Sequence, residues 1–146
     1  MRDLCEENPE MEAKISSIME IGNKLDDEGK KPQALAAYVQ AWELLPEPKA
    51  SWKLLTGWIA GSLYNFYFDS GNFNKAKYWA LAALGGSSSE RNTGPLIDLG
   101  MVCLELFEEN EAYQYFDDAY TVGKDRAFKD RPKKYLDFYL SNKKSS

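Results

Sequence analysis

Punctuation constrains this chain more than anything else in it. Apolar residues recur at helical spacing along almost all of its 146 residues, proline and glycine interrupt the pattern, and no segment alternates over a strand length. Asn8-Pro9 reads as a helix start, an N-cap followed by proline in the first turn. Met11, Ile15, Ile18, Ile21 and Leu25 then form one apolar stripe, closed by Gly29. Pro32 opens a second helix with Leu35, Tyr38, Val39, Trp42 and Leu45 inward, and Pro46-Glu47-Pro48 stops it. The spacing next predicts a long helix from Lys49 to Asp69, a Ser70-Gly71-Asn72 turn and a return helix from Phe73 to Leu84. A flexible connector follows from Gly85 to Ser89. Helices from Gly94 or Pro95 to Phe107, from Glu111 to Val122 and from Lys133 to Leu140 complete the reading. The expectation is an all-α chain of about seven helices, forming one domain over residues 1–146.

Composition removes several kinds of chemistry. The chain has no histidine, so Ser-His-Asp and Cys-His nucleophile systems and His-ligated metals have no basis. Its two cysteines, Cys5 and Cys103, cannot supply a four-ligand zinc site. No metal, cofactor or catalytic residue is expected, and the chain reads as a non-enzyme. Cys103 falls on a helix-packing position and Cys5 reads as an exposed thiol of no special role. The first seven residues carry no apolar run, so no secretory leader is expected, and no run approaches a membrane span. A reduced, cytoplasmic setting follows as the expectation.

The net charge is -5, which disfavours bulk nucleic acid as a partner. Charge is unevenly spread. Residues 96–123 hold 7 acidic groups and no basic one, whereas 124–146 hold 8 basic and 3 acidic groups. Either the basic tail neutralises the acidic stretch, the simpler reading, or an acidic face is kept for a partner.

Three segments align on one template of two antiparallel helices. The first runs Ile18, Ile21, Gly22, Leu25, Gly29, Ala34, Tyr38, Ala41, Pro46; the second Ala60, Leu63, Tyr64, Tyr67, Gly71, Phe73, Ala76, Ala80, Ala83; the third Leu96, Leu99, Gly100, Cys103, Phe107, Ala112, Phe116, Ala119. In these residues the chain resembles the tetratricopeptide repeat (TPR) family, over roughly residues 15–126. The small residues let paired helices approach closely, and Tyr38 and Phe116 are expected to fill the space between neighbouring repeats. The repeats fall at about 15–48, 57–90 and 93–126, with a capping helix at about 131–141, and they start 42 and 36 residues apart against about 34 for the family. The second repeat departs from the pattern, with Tyr64 at the glycine position and Ala60 and Ala80 at bulky ones.

The resemblance implies a groove lined by the first helix of each pair. Carried over residue by residue, its positions are Ser16, Met19, Asn23, Asp26 and Asp27; then Trp58, Gly61, Asn65, Phe68 and Asp69; then Gly94, Ile97, Met101, Leu104 and Glu105. Partner contacts are expected from Met19, Asn23, Trp58, Asn65, Phe68, Ile97, Met101 and Leu104, edged by Asp26, Asp27, Asp69 and Glu105. Such a groove suits a protein presenting apolar side chains beside Lys or Arg. The carboxylate clamp of TPR cochaperones is not matched: Asn23 fits its first asparagine, but Met19, Gly94 and Asp98 stand where cations are needed. The C-terminal stretch from Ala119 to Phe138 is similar to the end of TPR-like immunity proteins that neutralise bacterial contact-dependent toxins. That similarity implies a basic toxin domain as the partner, met by the acidic groove edge or by the Glu108 to Asp118 surface. A TPR-type secretion chaperone, or an adaptor holding a peptide in the groove, is the alternative, and the aromatic richness of Trp52 to Phe68 leaves a homodimer face open.

Overall fold

The computed structural model describes residues 8–49, 52–85 and 93–143, apart from the Lys53 side chain. The first seven residues, Cys5 among them, and the Gly/Ser connector beyond Gly85 lie outside these. Within them are seven α-helices and no strand: α1 (Pro9–Asp27), α2 (Lys31–Leu44), α3 (Lys53–Asp69), α4 (Phe73–Gly85), α5 (Gly94–Glu105), α6 (Glu109–Gly123) and α7 (Lys133–Asn142). A 3-10 turn, Lys124–Phe128, links α6 to α7. Helices α1 and α2, α3 and α4, and α5 and α6 pack as three hairpins. The chain divides into two compact units, one holding α1 to α4 and the other α5 to α7.

Local chemistry sets the helix ends. Asn8 caps α1, its Oδ1 accepting from the Met11 backbone N–H at 3.2 Å ahead of Pro9; such a cap contributes about 1 kcal/mol. Gly29 and Gly71 close α1 and α3 with φ of 78° and 80°, the left-handed region where a Cβ is penalised. The predicted long helix begins at Lys53 rather than Lys49, because Lys49 serves the preceding turn. Its ammonium donates to the Trp42 and Leu45 carbonyls, both at 2.8 Å, satisfying the C-terminus of α2. Trp52 Nε1 donates to the Pro46 carbonyl and Thr56 Oγ1 to that of Lys49, so the α2–α3 turn is held from both sides.

The first unit buries Ile15, Met19, Ala34, Tyr38, Ala41, Leu45, Trp52, Leu55, Ile59 and Leu63 in one core. Ile21, placed on the apolar stripe by sequence, is 57% exposed, whereas its counterparts Leu63 and Leu99 are fully buried. No described helix precedes α1 to cover that flank.

Each hairpin carries a large residue and a small one 16 positions apart, and in two of them the pair is in contact. In α1–α2 the ring of Tyr38 lies over Gly22, where an added Cβ would come within 2.8 Å of it. In α5–α6 the Phe116 ring lies over Gly100 so closely that a Cβ would fall 2.3 Å from it. The α3–α4 hairpin exchanges the two: Tyr64 stands on the first helix and Ala80 on the second, both buried. The apparent departure of the second repeat is therefore a reversal of the same volume arrangement. Around these pairs Ala34, Ala41, Ala76, Ala112 and Ala119 are fully buried.

In the second unit Phe116 is the hub of an aromatic core. Its ring lies 5.3 Å from Phe128 and 6.1 Å from both Tyr135 and Phe138, and Tyr139 stacks on Tyr113 at 5.3 Å. No helix among the described residues is long and apolar enough to cross a membrane.

Gly100→Ala is expected to destabilise the protein by about 3 kcal/mol and Gly22→Ala by about 1–2 kcal/mol, from overpacking against a ring. Gly61→Ala, where no atom lies within 4 Å of the new Cβ, should instead stabilise α3 by about 0.5–1 kcal/mol. Urea denaturation of the three variants measures both signs.

Candidate functional site

The groove positions inferred from sequence divide sharply by burial. Met19 and Ile97 are fully buried and Met101 is 5% exposed, so these three belong to the core and leave almost no surface for a partner. Met19 belongs to the same buried core as Ile59 and Leu63 of α3. Trp58 is half-buried against the same core. Phe68 is half-buried between Tyr64 and Phe73, its ring 5.4 and 5.2 Å from theirs. Asn65, Asp27 and Asp69 are exposed and Leu104 is half-buried.

Most of the acidic edge is engaged by the chain's own cations. Asp26 accepts from Lys31 Nζ at 2.5 Å, and Asp27 and Asp69 lie near enough to hold that ammonium's pKa up as well, after Asp26. Asn23 accepts from the Tyr38 hydroxyl at 2.8 Å. Burial, and then the Asp26 and Asp27 charges, push the Tyr38 phenol up to about 12. In the second unit Glu105 accepts from Lys134 Nζ at 2.9 Å and from the Tyr135 hydroxyl at 3.1 Å. Asp98 pairs with Arg131, whose guanidinium also reaches Met101 Sδ at 3.7 Å. Burial raises the Asp98 carboxyl despite the opposing pull of Arg131. Arg131 and Lys134 of the basic segment thus lie on α5 positions expected to face a partner and neutralise two carboxylates of the acidic stretch.

In the second unit, α6 also turns acidic groups outward. Glu109, Glu111 and Asp118 are exposed, and nothing basic stands on α5 or α6. At the α5–α6 turn Phe107 is 88% exposed with φ of 63°. It falls in register with Gly29 and Gly71, so an exposed phenyl ring occupies a left-handed position that the other two hairpins give to glycine. Sequence reasoning aligned these three residues but did not single out Phe107; the signal was a bulky apolar residue in a turn-glycine column. A left-handed L-residue costs about 1–2 kcal/mol, and the exposed ring gives no burial in return. Such strain is concentrated at functional positions.

Beside it the buried Cys103 thiol lies 3.9 Å from Glu111 Oε2, and with Glu108 it places three donor atoms within 4.8 Å of one another. Three donors fall short of the four that a closed structural zinc site takes. Cys103 is fully buried, as its packing position implied. No protein-family profile matches the chain, and no curated protein does.

Two outcomes check this geometry. Phe107→Gly should raise stability by about 1 kcal/mol by relieving the backbone, read as an upward shift of the urea midpoint. The Tyr38, Tyr135 and Tyr139 phenols, all raised by burial first, hold their protons more tightly folded than unfolded. Their contribution to stability is full below the ordinary tyrosine pKa of 10.0; that of Tyr38 is lost as pH rises through about 12, and those of Tyr135 and Tyr139 at higher pH still. In a phenolate absorbance titration, Tyr38→Phe should remove one late-titrating group.

Proposed function

We propose that the chain is a non-catalytic, TPR-like protein-interaction module whose α6 side engages a folded, basic protein. A small immunity protein binding and neutralising a cognate bacterial toxin domain works in this manner. Phe107 is the observation that carries the reading. A protein gains nothing in its own fold from a solvent-exposed phenyl ring at a left-handed turn, whereas interfaces are anchored by such rings. Glu108, Glu109 and Glu111 follow it directly in sequence, so a partner taking the ring meets negative charge around it, which favours Lys or Arg in the surrounding rim.

The peptide-holding alternative, a secretion chaperone or adaptor, draws less support. It needs the apolar side chains of the inner helices open to an extended segment, and Met19 and Ile97 are fully buried. The α5 positions Asp98, Met101 and Glu105 are already occupied by Arg131, Lys134 and Tyr135.

The test is capture from the native lysate with the wild-type chain and with Phe107→Gly, followed by kinetics on the purified pair. The expected result is a single basic, folded partner bound one-to-one, with an association rate that falls as salt rises. Phe107→Gly should weaken it by about 30-fold or more while staying folded. A salt-resistant unfolded segment, held equally well by both proteins, would contradict the proposal.

A further inference from the structure

A second feature of the α6 side lies between α6 and α7. Glu109, Asn110, Tyr113 and Gln114 on one helix, and Phe138 and Asn142 on the other, line a cavity of about 330 Å³. We infer that this cavity is a socket for a guanidinium group, the side chain of an arginine on a protein partner, which deepens the reading of the α6 side as the partner surface.

The polar groups explain the choice of charge. Gln114 Nε2 donates to Asp118 Oδ1 at 2.9 Å, and Asn142 Nδ2 donates to the Phe138 carbonyl at 2.8 Å. Each side-chain amide therefore spends one N–H on the protein itself and keeps its oxygen and its second N–H. The Glu109 carboxylate is the one formal charge in the lining, and no lining residue is cationic. An anion would meet that carboxylate's repulsion there, and a cation its attraction.

The aromatic walls select the shape of the cation. Tyr113 is held by its stack on Tyr139, with rings 5.3 Å apart, and Phe138 by an edge contact with Phe116 at 6.1 Å. Two packed aromatic rings beside a carboxylate suit a flat, weakly hydrated ion with five N–H donors in one plane. A lysine ammonium, compact and strongly hydrated, gains less from such walls.

The probe is Nα-acetyl-arginine amide, titrated into the ¹⁵N-labelled full chain and followed by amide shifts. The expected result is saturable movement confined to the residues around the cavity, with a Kd of about 1–10 mM for one isolated side chain. The citrulline analogue, equal in shape but uncharged, should move nothing. Glu109→Gln should weaken binding by about 3- to 5-fold, and Phe138→Leu should weaken it while leaving the carboxylate in place. Shifts that are absent, that map away from the cavity, or that citrulline reproduces would overturn the assignment. Because the probe is a single amino acid, failure here would leave the Phe107 partner experiment unaffected, and the converse also holds.

Discussion

Two aromatic rings resting on two glycines hold this architecture in its register. Tyr38 on Gly22 and Phe116 on Gly100 bring their paired helices to a separation that a single methyl group would disturb. Fully buried alanines stand on the same helix pairs, and the rings of Phe128, Tyr135 and Phe138 surround Phe116. The middle hairpin meets the same requirement with Tyr64 and Ala80, exchanging which helix carries the ring. A packed interior fixes total volume across a helix pair more strictly than it fixes which side supplies it. That is why the repeats remain in register at all their alanine positions while the middle one departs at glycine.

The helices were legible because their ends are written in residues with backbone consequences. Asn8-Pro9, Gly29, Pro46 and Gly71 each act through φ or a missing N–H, and these effects are local. The start of α3 was misplaced for a tertiary reason: Lys49 caps the preceding helix, and no periodicity signals that. Burial was less legible than helicity. A wide apolar stripe does not say which flank is covered: it points Ile21 inward and the groove register points Met19 outward, whereas Ile21 is exposed and Met19 lies in the core shared with α3. Charge sums anticipated that the basic tail would neutralise the acidic stretch. The particular pairs, Arg131 with Asp98 and Lys134 with Glu105, needed the fold, because they join residues about 30 positions apart in sequence.

Engagement of those carboxylates redirects attention across the second unit. Where the C-terminal segment covers its α5 partners, Glu109, Glu111 and Asp118 of α6 still face outward, and Phe107 and the cavity lined by Glu109 lie on the same side. Stability argues against each of these features: the ring is strained and exposed, and the carboxylates repel one another. The proposed interaction surface rests on their nearness at the α5–α6 turn and along α6. The glycine-aromatic pairs lie inside, away from that turn.

The most direct test of the account is a double-mutant cycle on Gly100 and Phe116, combining Gly100→Ala with Phe116→Leu and measuring unfolding free energies. If the ring and the glycine form one packing unit, the alanine should cost far less once the ring is gone, with a coupling energy of about 1–3 kcal/mol. Costs that add to within about 0.3 kcal/mol would show that the two positions act independently, and the account of how these helices are held together would fail.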